Sequence, residues 1–242
     1  MPNYPETRLT RALRSGEFPV IVSLARHDLD LAKAAIGAGA FAIKVHLNAY
    51  HRATGTTFGS FSEERPFFER LATLDVPLLV MAGQENVPSA QEMDALADLG
   101  FEGFNIYFSD MQPHLLQSRL RPMPALGERS TDEDLQKILE IPGAMMEASV
   151  AAFEDYGKPV NESDLARYRD ITTKAGIPVI APSQKRFTAE DMPRLKEAGI
   201  AAPLLGVIVT GTTSQSMDVA VKPVVEAARS LNKASLPSSG LR

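Results

Sequence analysis

The chain has 242 residues, 44% hydrophobic and 23% charged, with a formal net charge of −5 and no cysteine. Without cysteine there can be no disulfide, thiolate metal site or cysteine nucleophile, and a mildly acidic chain argues against nucleic acid, whose phosphates need a basic partner. No apolar run approaches the roughly 20 residues of a membrane span, and the opening MPNYPETRLTRALRSGEF lacks the apolar core of a signal peptide, so the expectation is a cytoplasmic protein with no membrane partner.

Short apolar runs alternate with longer helical patterns. PVIVSLA (19–25) reads as a first strand and DLDLAKAAIGAG (28–39) as a helix closed by glycine. FAIKVHL (41–47) is a second strand. SEERPFFERLATL (62–74) is a helix, with Ser60 and Glu63 spaced as a capping box. VPLLVMAG (76–83) is a third strand, SAQEMDALADLG (89–100) a helix with Ser89 and Glu92 in the same relation, and GFNIYF (103–108) a fourth strand. MQPHLLQSRL (111–120) reads as a short helix and RPMPALG (121–127) as a short fifth strand carrying two prolines. A helix at 130–141, a sixth strand at 143–149, a helix at 161–176 and a seventh strand at 177–183 follow. A helix at 188–199, an eighth strand PLLGVIVTG (203–211) and a last helix at 216–231 complete the pattern. Eight strands, each followed by a helix, predict an α/β chain folded as a single-domain (βα)8 TIM barrel over residues 1–232, with a frayed tail at 233–242. The alternative, a doubly wound open sheet, lacks a G-x-G-x-x-G after the first strand.

In a closed barrel alternate residues point inward, and catalytic groups sit at the C-terminal ends of the strands. On the second strand Lys44, His46 and Asn48 share a parity, while Ile43, Val45 and Leu47 are apolar. By the same test Gly103, Asn105 and Tyr107, then Met145, Glu147 and Ser149, and then Val179, Ala181, Ser183 and Lys185 form inward sets, with Ser23 near the end of the first strand. Isolated buried charge is costly, so Lys44 and Glu147 should pair with each other or with a ligand. A purely structural ion pair is the plain alternative for those two, and a hydrogen-bonded core position for His46.

The loop NAYHRATGTTFGSF (48–61) is long for a strand-to-helix connection and offers Arg52 as an anion contact. VTGTTSQS (209–216) carries Gly211, Thr212 and Thr213 into the last helix, and Lys185 lies after the seventh strand. Barrels often hold phosphate there, so Lys185, Gly211, Thr212 and Thr213 are the expected phosphate grip. No metal motif of the H-E-x-x-H or EF-hand kind is present. No cofactor is expected, although His27 with Asp28, or His46 with Glu147 and Asp110, leave a divalent metal open.

PVIAPSQKRFTAEDMPRLKEAGIAAPLLGVIVTGTTSQS (178–216) resembles the last two βα units of phosphate-binding (βα)8 barrels, the ribulose-phosphate-binding group. The opening FPVIVSLA and AKAAIGAGAFAIKV are similar to the start of N-acetylmannosamine-6-phosphate 2-epimerases. The resemblance implies a phosphate turn at Gly211 and Thr212. It departs after the third strand, where those epimerases carry a lysine and this chain reads VMAGQEN, and after the seventh, where their Glu-Gly is Pro182-Ser183.

Together these readings predict an enzyme acting on a small phosphorylated metabolite, a sugar phosphate or keto acid, by proton abstraction next to a carbonyl. Isomerisation, epimerisation and aldol-type cleavage all fit. Glu147 is the expected acid/base, Lys44 the group that polarises the carbonyl, and His46 a proton relay. Ser23, Asn48, Arg52, Asn105, Tyr107 and Ser183 are the expected substrate contacts. The alternatives are a barrel that binds a metabolite without converting it, and a metal-dependent lyase; a homo-oligomer is compatible with all three.

Overall fold

A parallel strand between a packed interior and a ring of helices meets no water on either face, so it reads as an apolar run. Residues 4–234 are described by the structure, a computed structural model. The strands are β1 (Ile21–Ser23), β2 (Ala42–His46), β3 (Ala49–His51), β4 (Thr56–Phe58), β5 (Leu78–Met81), β6 (Phe101–Tyr107), β7 (Arg121–Leu126), β8 (Met146–Ala148), β9 (Val179–Pro182) and β10 (Ala202–Leu205). All but β3 and β4 join in parallel in the cyclic order β1, β2, β5, β6, β7, β8, β9, β10 and close on β1. The eight-stranded (βα)8 TIM barrel is therefore formed. β3 and β4 make a separate antiparallel hairpin in the loop after β2.

The helices are α1 (Arg8–Arg14), α2 (Leu29–Gly37), α3 (Phe61–Leu71), α4 (Ala90–Asp98), α5 (Asp132–Leu139), α6 (Glu162–Ala175), α7 (Asp191–Glu197), α8 (Val207–Thr210) and α9 (Ser214–Ala234). Ser60 and Ser89 stand at the N-caps of α3 and α4, and the carboxylates of Glu63 and Glu92 accept their backbone N–H at 2.7 and 2.8 Å. Among the described residues no helix is long and apolar enough to cross a membrane. α9 runs to Ala234, and the rest of the expected tail, 235–242, lies outside the described residues.

Two apolar layers fill the fold. Val22, Ile43, Val45, Val80, Phe104 and Ile106 face the helices, while Ile21, Ala42, Leu79, Met123, Met145, Ile180, Ala202 and Leu204 pack inside the barrel. Leu9 of α1 joins the inner cluster and plugs the bottom, an element the sequence reading left out. On the inner wall Gly103 has no room for a side chain: a Cβ there would stand 2.9 Å from the Arg121 carbonyl oxygen. Arg121 lies buried at the bottom of β7. Its guanidinium donates to the carbonyls of Gly143, Tyr4 and Pro5 at 2.8, 3.2 and 2.8 Å, tying the first described residues to the barrel floor.

The prolines of β7 are tolerated because of where their missing N–H groups would point. The Pro122 carbonyl accepts from Met145 on the β8 side. The β7–β8 pairing is confined to Ala125–Glu147 and Leu126–Ala148, beyond both prolines.

Two expectations need correction. The eighth strand stops at Leu205, not 211. Beyond it there is no neighbour to pair with, and Val209, Thr210 and Gly211 turn their N–H groups back to the carbonyls of Gly206 and Val207, giving α8. On β9 the inward residues are Ile180 and Pro182, whereas Val179 and Ala181 face the helices. The run VIAP carries no polar residue to mark its inner face, and the strand ends before Ser183 and Lys185 could continue an alternation.

Candidate active site

At the C-terminal ends of the strands the barrel opens into a cavity of about 470 Å³. β2 and β8 are four places apart in the ring of eight, hence opposite each other. Their inward Lys44 and Glu147 meet across the axis, Nζ to Oε2 at 2.6 Å. Lys44 is 4% and Glu147 5% exposed. The other carboxylate oxygen, Oε1, accepts the Ser149 hydroxyl at 2.7 Å. Removing two charges from water costs several kcal/mol each, offset only by close pairing and further hydrogen bonds, and this pair has both. Each partner borders the cavity, so a ligand entering from the mouth meets an ammonium and a carboxylate side by side.

Around that pair stand Ser23 of β1, Asn105 and Tyr107 of β6, and Ser183 after β9. Asn105 donates to the Met123 carbonyl at 2.8 Å, which fixes its amide at the cavity wall. Burial pushes the Tyr107 phenol up to about 12, with Tyr156 and Glu147 adding to the effect, so it stays a neutral donor. Ser183 Oγ accepts the Gly206 N–H at 2.8 Å, joining the ends of β9 and β10.

The roof is the β3–β4 hairpin, which supplies Tyr50, His51 and Arg52 to the cavity. Gln84 holds it from the β5 end, its Oε1 accepting from Tyr50 N at 3.1 Å and its Nε2 donating to Tyr50 O at 3.4 Å. Arg52 lies over the Phe153 ring at 5.1 Å and has no ion-pair partner among the described residues. Beneath the hairpin, Phe58 stacks on His46 with ring centroids 4.7 Å apart and touches His27 at 4.8 Å; His51 meets His46 edge-on at 5.1 Å. Three of the four histidines thus sit in one aromatic cluster. His27 Nδ1 is bonded to Glu64 Oε2, whereas His46 Nδ1 and His27 Nε2 are buried without a partner.

This cluster makes a pH prediction. Burial pushes all three imidazoles down: His46 well below its ordinary range with Lys44 adding repulsion, His27 despite the Glu64 carboxylate, and His51 with a smaller contribution from Lys44. The unfolded chain takes up protons near the ordinary value of about 6.5 while the fold resists them. Stability is therefore full above that pH and falls as pH drops toward the lower folded-state values. Up to three protons are involved, each worth about 1.4 kcal/mol per pH unit. Urea midpoints measured between about pH 7 and pH 5 should fall steeply, and less steeply in His46→Gln; equal slopes would remove the cluster as the cause.

Several expected contacts lie elsewhere. Asn48 does not border the cavity: at φ 46° it is the left-handed corner where the chain leaves β2 for the hairpin, and its N–H bonds to Gly59 O. Lys185 is buried on the helix side of the barrel, between Asp155 at 3.5 Å and Asp164 at 3.4 Å. Gly211, Thr212 and Thr213 do not border the cavity either, because α8 intervenes between β10 and that turn. A Cβ on Gly211, at φ 64°, would press on Ser216 Oγ; the Thr212 carbonyl accepts from Arg26; Thr213 bonds with Ser216 at the start of α9. The structure therefore brings together Ser23, Lys44, His46, Arg52, Asn105, Tyr107, Glu147 and Ser183, and leaves Asn48, Lys185 and 211–213 apart from them.

The sequence places His51 on the long loop beside Arg52 without a role, and gives none to Tyr156, Gln184 or Ser149. Gln184 donates to the Tyr156 hydroxyl at 2.7 Å and accepts from Ala151 N at 2.9 Å, pinning the loop after β8 to the cavity wall. Ser149 carries a signal, its parity with Glu147; Tyr156 and Gln184 lie on loops and His51 ends the three-residue strand β3, where alternation gives no cue. For a metal, Asp28 caps α2 and pairs with Arg26 at 2.7 Å, and His27 is taken by Glu64. Among the described residues no three histidine or carboxylate side chains are grouped as ligands.

No family model matches the chain, and no curated protein matches its sequence. Solved structures do match. KGPDC from Streptococcus mutans superposes with a TM-score of 0.64 at 14% identity, over 88% of this chain and 98% of that one. Thiamine phosphate pyrophosphorylase from Pyrococcus furiosus gives 0.63 at 12% identity, over 90% and 98%. Phosphoribosyl anthranilate isomerase from Thermus thermophilus gives 0.60 at 11% identity, over 88% and 99%. What this chain shares with these proteins is the fold, the (βα)8 TIM barrel.

Proposed function

We propose that this barrel is an enzyme that moves a proton at the carbon next to a carbonyl in a small phosphorylated sugar or keto acid. The observation that carries the reading is the Lys44–Glu147 pair, buried yet bordering a cavity of about 470 Å³. A carbonyl oxygen placed against the Lys44 ammonium becomes more electron-poor, and the charge that develops on it as an enolate forms is stabilised in a low-dielectric site. Glu147 beside it takes the proton from the adjacent carbon. His46 lines the cavity beside the pair and is kept neutral by burial, so it can hold or pass a proton there without adding charge. Isomerisation and epimerisation begin with this enolate; in aldol-type cleavage Glu147 would take the proton of the β-hydroxyl instead, and the same enolate forms as the C–C bond breaks.

The phosphate is assigned to Arg52. Lys44 and Arg52 are the two Lys/Arg side chains that border the cavity, and Lys44 is already paired. Two of the similar barrels carry phosphate in their names, thiamine phosphate pyrophosphorylase and phosphoribosyl anthranilate isomerase, and the second is an isomerase by name. A hydrogen bond to a charged group is worth about 1.5–3 kcal/mol. Arg52→Ala should therefore weaken a phosphorylated ligand about ten- to a hundredfold in calorimetric titration, while leaving the dephosphorylated compound unaffected. A loss no larger than that for the dephosphorylated compound would remove Arg52 from the phosphate site.

One observation favours a second reading, binding without conversion. Both oxygens of Glu147 are engaged by protein groups, Lys44 and Ser149, as in a structural pair. The experiment that separates the two uses a panel of phosphorylated sugars and keto acids. Compounds that raise the melting temperature are then incubated with the protein in D2O, and loss of the carbon-bound proton is followed by NMR. Exchange by the wild type and none by Glu147→Gln is the expected result. Tight binding with no exchange by either would replace the enzyme with a sensor.

A further inference from the structure

The geometry points to Tyr156 as the second half of a phosphate clamp whose first half is Arg52. The inference deepens the reading above and rests on its assignment of the phosphate to Arg52. It starts from the direction of one hydrogen bond. Gln184 stands just past the end of β9, and its Oε1 accepts the Ala151 N–H at 2.9 Å. A backbone N–H only donates, so the atom facing it is the amide oxygen, and the other end of the side chain is the NH2 group. That group donates to the Tyr156 hydroxyl at 2.7 Å. The phenol oxygen therefore accepts from Gln184, and its own hydrogen is not spent on that bond. No acceptor for it stands among the described residues. Tyr156 and Gln184 both border the cavity, so the wall there offers a ligand an O–H donor that the protein leaves unused.

The same loop carries Arg52. Phe153 is exposed; its ring lies under the Arg52 guanidinium at 5.1 Å and packs on the Tyr156 ring at 5.1 Å. Guanidinium and phenol are thus neighbours through one ring, the first from the hairpin roof and the second from the wall. Both have hydrogens to give, which suits a group that accepts through several charged oxygens, as a phosphate does. The phenol is fixed before a ligand arrives. Gly157 donates its N–H to the Gln184 carbonyl at 2.9 Å, and the buried Lys185 ammonium lies 3.5 Å from the Asp155 carboxylate. The residues on either side of Tyr156 are thereby tied to the end of β9, and a donor already in place loses little freedom on binding. Burial pushes the Tyr156 phenol up, against the Gln184 hydrogen bond, so it keeps its hydrogen at neutral pH. Tyr156 is then a specificity-determining residue, and Lys185, apart from the cavity, a positioning residue for it.

Inorganic phosphate is the probe, titrated into the full chain with tyrosine labelled at 13Cζ. Saturation should move the Tyr156 signal and leave that of Tyr168, buried in the core, where it is. Tyr156→Phe and Arg52→Ala should each bind phosphate about ten- to a hundredfold more weakly in calorimetric titration. If Tyr156→Phe does not fold, the wild-type signal, assigned through its sequence neighbours, still decides. Phosphate that binds without moving the Tyr156 signal, or that binds either variant as tightly as the wild type, overturns the clamp. So does a wild type that takes up no phosphate at millimolar concentration. Inorganic phosphate has no carbon-bound proton, so these outcomes are separate from the exchange assay: the clamp stands if exchange is never seen, and falls on its own if exchange occurs without it.

Discussion

Replacing Lys44 with methionine is expected to abolish turnover and to destabilise the fold by about 3–5 kcal/mol at neutral pH. The two effects have different origins. On the proposed mechanism turnover is lost because the other cation bordering the cavity, Arg52, is assigned to the phosphate and not to the carbonyl oxygen. Stability is lost because the Glu147 carboxylate, 5% exposed, keeps the cost of leaving water and loses the ammonium at 2.6 Å that offset it. The double variant Lys44→Met/Glu147→Met should regain much of the stability, since two apolar side chains of similar length replace the pair, yet remain inactive. Urea unfolding of the four proteins in the cycle checks this. Equal destabilisation in the single and double variants would mean that packing, not an orphaned charge, sets the loss.

Glu147→Gln is the complementary change. The amide keeps the shape, can still accept from Lys44 Nζ, and cannot take a proton at neutral pH. General-base removal costs typically about 10²–10⁴ in rate, so deuterium exchange should fall by that factor while ligand binding changes little. If exchange persists near the wild-type rate, another group is the base, and neutral His46 becomes the first candidate. A parallel fall in binding would instead place Glu147 among the groups that merely hold the ligand.

The site is half legible in the sequence, for a physical reason. Lys44, Asn105, Tyr107 and Glu147 lie on strands of period two whose outward neighbours are unmistakably apolar, so their inward direction follows from alternation alone. Asn48 fails that rule because β2 ends at His46 and the chain turns left-handed two residues later. Lys185 fails it because VIAP has no polar residue to set its inner face, and the lysine projects to the acidic side chains of 155 and 164. The turn at 211–213 reads as the end of the eighth strand, yet that strand stops six residues earlier, at Leu205; VIVT favours a strand by composition, but the closed ring offers it no partner there. The hairpin could be seen as a long loop and not as two strands, because three-residue strands stabilised by Phe58 against buried histidines leave no periodic signal. The plug α1 is hidden for a similar reason: seven residues, with Leu9 and Leu13 as its apolar contacts, make only about two helical turns, too short to register as a period.

The most direct test of the whole account is a crystal structure of the protein with a phosphorylated keto compound that stabilises it. The account predicts the carbonyl oxygen within hydrogen-bond reach of Lys44 Nζ, about 3 Å, the adjacent carbon facing Glu147, and the phosphate under the hairpin against Arg52. A ligand bound with its phosphate at 211–213 and its carbonyl away from the Lys44–Glu147 pair would contradict it.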